Sequence, residues 1–350
     1  MTKRLKTTEG LVRPVRPSQE AVAASPTPSY DRIVTSGFSV SAANDPQLLF
    51  TGPSPFGGHR YALFDLCPRR YGLEHEHYPM PYYDQNGVLS SPPEVHIDPL
   101  TIHDDWAEAE GTVWELVRGT MIHTGLAHHY AIMRARQKGD DETINRLYSP
   151  IEAMRALARY EKERKPEDTD LWDSALELGQ RILPSYANRY AFEKLRIEVV
   201  EEVFALNMGE APYTFRLDLG VRDTLGKFWF VDHKTTTRLR KDHGVIYGLS
   251  IQFQAYAIAG QAIMADRYGG VMANMIECGE DALKFERPRM PSIPGFLMGF
   301  AERIETIYRQ MKALVDAGLP PSRWPKRPGF GTCRAYGKMC PFYDRCRLNA

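Results

Sequence analysis

The residues of this chain best suited to chemistry lie in two short runs, Phe215-Arg-Leu-Asp218-Leu-Gly and Phe228-Trp-Phe-Val-Asp232-His233-Lys234-Thr-Thr. Both alternate in the manner of strands and are rich in aromatic and β-branched residues. Between them, Asp223-Thr-Leu-Gly226 is a turn signal, so the two runs are expected to form a hairpin. Strand side chains alternate faces, which puts Asp232 and Lys234 on one side and His233 on the other. A turn centred near Thr224–Leu225 sets Asp218 opposite Asp232 within about one residue, and cross-strand neighbours stand roughly 4.5–5.5 Å apart at Cβ. Two carboxylates that close repel unless they share a proton or a cation. A divalent ion such as Mg²⁺ or Mn²⁺ between them could grip a phosphate oxygen and lower the pKa of a bound water. Lys234 beside it could orient that water or offset the charge on a phosphorane. The chemistry would be phosphodiester hydrolysis. A bare Asp…Asp-x-Lys pattern also describes any hairpin with solvated charges.

Two further features accompany the hairpin. Gln252 and Tyr256 fall one turn apart on one face of the following helix, and His123 lies mid-helix in Gly119-Thr-Met-Ile-His123-Thr-Gly125. Three of the five cysteines crowd the C-terminal stretch as Cys333-x6-Cys340-Pro-Phe-Tyr-Asp-Arg-Cys346, and Cys67 lies far upstream in Leu-Cys67-Pro-Arg-Arg-Tyr71. Four thiolates suit either a [4Fe–4S] cluster or a tetrahedral Zn²⁺ ion, and spacing alone does not choose. Cys278, in an apolar strand-like run, reads as a core residue.

The elements that must position these groups follow from periodicity. Residues 1–45, rich in Pro, Ser, Thr and Ala, read as a disordered basic arm, and 46–350 as one domain. Residues 46–100 form a loop-rich lead-in that carries Cys67 and one short helix near Leu63–Leu73. Helical spacing marks 104–137, 148–163 and 170–190. Strand patterns cover 194–206, 213–221 and 227–234. A helix over 246–266, strands near 270–277 and 282–288, and a long helix over 294–317 ending at Gly318 complete the order. Helices, hairpin, helix, strand, helix predicts an α/β fold with a mixed sheet flanked by helices on both faces.

Composition bounds the partners. The 350 residues hold 44 Lys+Arg and 44 Asp+Glu, so net charge argues against a histone-like binder. Charge is nonetheless sorted: residues 321–350 carry seven Lys/Arg against Asp344 alone, and Arg238, Arg240 and Lys241 follow the hairpin. Potentials act locally, so such basic lobes can bind a polyanion in a neutral protein. Residues 98–115 carry six acids and no Lys or Arg. Tyr336, Tyr343, Phe342 and Trp324 are interleaved with the C-terminal cations, as a stacking surface for single-stranded DNA requires, although Phe342 and Trp324 are expected to pack inward. No apolar run reaches the roughly 18 residues of a membrane span, no secretion signal opens the chain, and a cytoplasmic address is expected. No helicase P-loop of the form Gly-x4-Gly-Lys-Ser/Thr occurs, so any unwinding must come from a helicase or recombination partner. Oligomeric state is not legible.

The order Gly119-x-x-x-His123, Asp218, Asp232-x-Lys234, Gln252-x-x-x-Tyr256, with cysteines at both flanks, resembles the RecB-type nucleases of the PD-(D/E)XK superfamily. That group includes the iron–sulfur exonucleases of CRISPR systems and related phage proteins. The resemblance runs from about Leu63 to Cys346. It implies a restriction-endonuclease-like fold and a metal held by His123, Asp218 and Asp232 with the carbonyl of His233. It further implies Lys234 as catalytic lysine, with Gln252 and Tyr256 supporting the site and the DNA backbone. Cys67, Cys333, Cys340 and Cys346 become ligands of a [4Fe–4S] cluster with a structural role, and an imidazole ligand tilts preference toward Mn²⁺. The substrate implied is single-stranded DNA or duplex ends, cut exonucleolytically during recombination, repair or phage DNA processing. The alternative is a catalytically idle DNA-binding or assembly factor with a structural metal cluster.

Overall fold

The computed structural model describes residues 45, 47–49, 57–75, 80, 82–83, 89–90, 114–279, 283–290, 294–335 and 338–348. The expected N-terminal arm, most of the acidic run at 98–115, the start of the helix expected from 104, and Tyr336 lie outside them.

The chain opens with α1 (Gly58–Leu66) and α2 (Pro68–Glu74), separated by an extended Cys67 and restarted by Pro68 at a first-turn position. Tyr82–Tyr83 and Leu89–Ser90 make a small antiparallel ladder. A helical layer follows: α3 (Trp114–Lys138), α4 (Asp141–Arg146), α5 (Pro150–Arg164) and α6 (Thr169–Arg189). Sequence dictates where α5 starts. Ser149 accepts from the Glu152 N–H, Glu152 accepts from the Ser149 N–H, and Pro150 needs no partner for a missing donor.

The central sheet comprises β1 (Arg196–Met208), β2 (Ala211–Arg222), β3 (Phe228–Thr236), β4 (Tyr268–Glu277), β5 (Phe285–Glu286) and β6 (Arg289–Met290). Its order is β1-β2-β3-β4-β5, with β6 also paired to β4. Only β3 and β4 run parallel, joined through α7 (His243–Gly248) and α8 (Ile251–Met264). This is the mixed, helix-flanked sheet that the pattern predicts. The β2–β3 turn is built by Asp223, whose Oδ1 accepts from the Leu225 and Lys227 N–H groups at 2.9 and 3.0 Å. Its Oδ2 accepts from Trp229 Nε1 at 2.9 Å, and Gly226 takes the φ of 77° that a side chain disfavours.

The single helix expected over 246–266 is two helices. Ser250 adopts an extended ψ of 148° and its Oγ accepts from the Phe253 N–H, so it caps α8 instead of continuing α7. The cap sets the phase of α8 and aims Gln252 and Tyr256 at β3.

Two apolar cores sandwich the sheet. On one face Phe204, Phe215, Phe230 and Met275 pack with α1, α8 and α9 (Pro294–Asp316). On the other, Val200, Leu219, Val231 and Ile276 pack with α3, α5 and α6. Beyond α9 the chain returns to α1 and α2. Trp324, 2% exposed, stacks with Tyr71 at 6.4 Å and meets Phe64 edge-on, while Arg69 Nε donates to the Trp324 carbonyl at 2.9 Å. Two short helices, α10 (Phe330–Cys333) and α11 (Tyr343–Leu348), end the described chain. No described helix is long and apolar enough to cross a membrane.

Candidate active site

The ladder between β2 and β3 pairs Arg222 with Phe228 and ends at Leu219 with Val231. The next residues, Asp218 and Asp232, stand where the strands part. Beyond that point β2 stays with β1 to the end of the hairpin, through Leu217, Phe215 and Tyr213. The fork opens a cleft of about 470 Å³ lined by Asp218, Asp232, Lys234, His123, Gln252 and Tyr256, with Arg216 and His59 on its wall. All six side chains expected to do chemistry therefore meet in one place.

Distances define the arrangement. The Lys234 ammonium lies 2.6 Å from Asp232 Oδ2 and donates to Gln252 Oε1 at 2.9 Å. Gln252 Nε2 donates to Asp232 Oδ1 at 2.7 Å and to the Tyr256 hydroxyl at 2.9 Å. That hydroxyl donates to the Arg216 carbonyl at 2.8 Å and lies 3.3 Å from Asp232 Oδ1. Asp218 Oδ2 accepts from the His233 backbone N–H at 2.8 Å, and His123 Nδ1 stands 3.6 Å from the same oxygen. His233 itself turns its ring away from the cleft, as strand alternation requires, and is buried.

Electrostatics follow from crowding. Burial first, and the neighbouring Asp232 second, push the Asp218 carboxyl up to about 6. Burial pulls Lys234 down, but Asp232 and Asp218 outweigh it and hold the ammonium above its ordinary value. Among the described residues no three His, Cys, Asp or Glu side chains stand close enough to hold one ion as placed. The donor chemistry nonetheless suits a hard divalent cation: two buried carboxylates and an imidazole lining one cleft.

The sequence did not point to Glu201. It sits opposite Asp218 by register, between the pairs Val200–Leu219 and Glu202–Leu217, with a φ of 50°. It is 3% exposed, neither carboxylate oxygen has a hydrogen-bond partner among the described residues, and burial with Asp218 nearby raises its pKa well above the carboxylate range. The residue sets a third carboxyl beside Asp218. Glu-Val-Val-Glu-Glu reads as an exposed edge, and only the register reveals the burial.

Cys67, Cys333, Cys340 and Cys346, a span of nearly the whole domain, line one cavity of about 200 Å³ with Arg70, Lys326, Arg327, Tyr343 and Arg347. The Cys340 N–H donates to the Cys333 carbonyl at 2.7 Å, Lys326 Nζ donates to the Cys346 carbonyl at 2.6 Å, and Arg327 binds Asp65. All four are free thiols, and burial raises that of Cys340. One cavity thus gathers four thiols beside the cationic side chains of Arg70, Lys326, Arg327 and Arg347. Cys278 is buried elsewhere, its thiol pushed to about 11 by burial. Trp324, expected to pack inward, is buried in the α1–α2 core, where its indole fills the space over Gly72. Tyr343 is 38% exposed and borders the cysteine cavity.

A family model described as the PD-(D/E)XK nuclease superfamily matches residues 59–347. No curated protein matches the chain. Among solved structures, "Crystal structure of SSO0001" is 18% identical and covers 43% of this chain and 69% of its own. Its TM-score of 0.25 is too low to carry an argument.

Proposed function

The chain belongs to the PD-(D/E)XK nuclease superfamily, and from that premise we propose that it is a metal-dependent DNA exonuclease of the RecB type. Its substrate would be single-stranded DNA or duplex ends, in recombination, repair or phage DNA processing. The observation that carries the reading is the fork, where Asp218 and Asp232 face each other with Lys234 2.6 Å from one carboxylate and His123 3.6 Å from the other.

Asp218, Asp232 and His123, with the His233 carbonyl, would hold Mg²⁺ or Mn²⁺. A bound divalent ion supplies Lewis acidity at a phosphate oxygen and a water of lowered pKa. The rest is work for the chain's own groups. Gln252 keeps Asp232 Oδ1 occupied and Lys234 in reach, so the ammonium faces the attacking water or the charge growing on phosphorus. Tyr256 ties Gln252 to the β2 backbone, fixing the distance between the strands. Arg216 on the cleft wall supplies a guanidinium for the phosphate backbone. No base-reading arrangement lines the cleft among the described residues, which favours low sequence specificity.

The four-cysteine cavity supports a [4Fe–4S] cluster with a structural role, since it draws residues 67 and 346 to one point. When bound, the cluster would supply a cross-link between the two ends of the domain, and the flanking cations would offset its charge.

The test is Asp232→Ala assayed on end-labelled single strands and duplexes with Mg²⁺ and Mn²⁺. Wild type should release nucleotides from an end, and the variant should release none while melting cooperatively. Cleavage that survives the substitution would refute the site. Wild type that binds DNA tightly yet cuts with neither ion would make the chain an assembly factor instead.

A further inference from the structure

The strand that carries Asp232 and Lys234 has a second side. There the His233 ring is fully enclosed, stacked on Tyr130 at 5.7 Å and 14°, with the His123 ring edge-on to it at 5.7 Å. Its Nδ1 lies 2.7 Å from Asn274 Nδ2, the residue that pairs with His233 across the parallel β3–β4 ladder. Arg287 Nε donates to Asn274 Oδ1 at 2.9 Å. The same guanidinium donates to the Tyr130 and Tyr186 hydroxyls at 2.5 and 2.7 Å, pairs with Glu193, and lies 3.6 Å over the Tyr190 ring.

The direction of these bonds is not free. An arginine nitrogen only donates, so Asn274 must present its oxygen to Arg287 and its amide hydrogens to His233. His233 Nδ1 then accepts, and the ring proton sits on Nε2, which is buried and has no partner among the described residues. The ring's polar anchor is thus the Asn274 amide, and two α3 rings, those of Tyr130 and His123, meet it. Across the strand, the His233 peptide N–H holds Asp218 Oδ2, and the rings of His233 and His123 touch.

We propose that Asn274 and Arg287 are positioning residues of the hydrolytic centre. Through the Asn274 amide they lock one tautomer and one orientation of His233, and so hold the peptide that carries Asp218 and the ring that backs His123. The proposal rests on the reading of the fork as that centre. A wholly structural role would need only a ring of this size. Burying the bonded groups of His233 and Asn274 costs desolvation that an apolar filling would avoid, and hydrogen bonds of fixed direction specify one ring orientation where apolar packing does not.

Asn274→Asp tests it. The carboxylate matches the amide in shape but cannot donate, so His233 Nδ1 must take up a hydrogen to keep the contact. In protein labelled with ¹⁵N-histidine and free of divalent ions, the His233 signal, identified by its loss in His233→Phe, should show a bare Nδ1 in wild type and a protonated Nδ1 in the variant. Cleavage should lose roughly 10- to 100-fold in kcat, as outer supports of a metal site do, with KM changed less than about twofold. Arg287→Lys keeps the charge but loses the planar Nε donor and serves with the same readouts if Asn274→Asp does not fold. An active wild type beside a folded variant with unchanged kcat, or with an unchanged imidazole spectrum, overturns the proposal alone. An inactive wild type overturns the reading of the fork, and the proposal with it.

Discussion

The backbone N–H of His233 donates to the carboxylate of Asp218 across 2.8 Å, just past Leu219–Val231, the last pair of the β2–β3 ladder. A group that would have bonded the next backbone carbonyl instead holds a side chain. The strands can therefore separate without leaving a buried donor unpaired, and the cleft between them is lined by carboxylate rather than by bare backbone.

Asp218→Asn should keep that bond, since the amide oxygen can accept, and lose the charge. Folding should persist, with the melting temperature within a few degrees of wild type. Mn²⁺ binding followed by calorimetry should become undetectable together with cleavage. Retained tight binding would remove Asp218 from the ligand set.

The Asp218 carboxyl stands at about 6 in the folded chain against 3.8 for the free side chain. The native state thus keeps a proton that the unfolded chain releases, so the contribution of this group to stability declines as pH rises from about 4 to about 6. Scanning calorimetry without divalent ions should show that decline in wild type and a shallower one in Asp218→Asn, where the raised carboxyl of Glu201 remains. Ion binding must expel the proton, so Mn²⁺ affinity should weaken by about tenfold per unit below pH ~6.

Lys234→Met removes the ammonium that contacts Asp232 and Gln252. Cleavage should fall by roughly 10²–10⁴-fold in kcat, the range for a group that moves or positions a proton. Binding of DNA, read by anisotropy in Ca²⁺, should change little. A large loss of binding with intact kcat would make Lys234 a phosphate contact only.

Cys346→Ser and Cys67→Ser bear on the shared thiol cavity. Anaerobically purified wild type should be brown, and each serine variant should lose that absorption and melt at lower temperature. Colourless wild type with stoichiometric zinc would assign the cavity to the other metal.

Trp324→Ala should destabilise the fold by about 3–5 kcal/mol, the cost of emptying a buried aromatic site. Denaturant unfolding checks it. A change below about 1 kcal/mol would mean that the C-terminal return does not hold α1 and α2.

The hairpin was legible because its information is local. Asp223 and Gly226 mark the turn, and counting outward sets Asp218 against Asp232. Gln252 and Tyr256 were legible as a helical pair, but the cap at Ser250 that aims them was hidden inside an apolar run that reads as continuous helix. That Trp324 packs inward was legible, but not its partners, Tyr71 and Gly72, some 250 positions earlier. Asn274, Arg287 and Glu201 were not legible at all. Each looks ordinary in its own strand or loop, and its neighbours come from elements that only folding brings close.

The seat of Trp324 on α1 and α2 also orders events during synthesis. Phe64 and Tyr71 emerge from the ribosome some 250 residues before the indole that covers them. For most of translation these rings are sticky surface, so ribosome-bound chains should recruit chaperones at this point. The same delay keeps the wall around Cys67 unfinished until residues 326–347 are made.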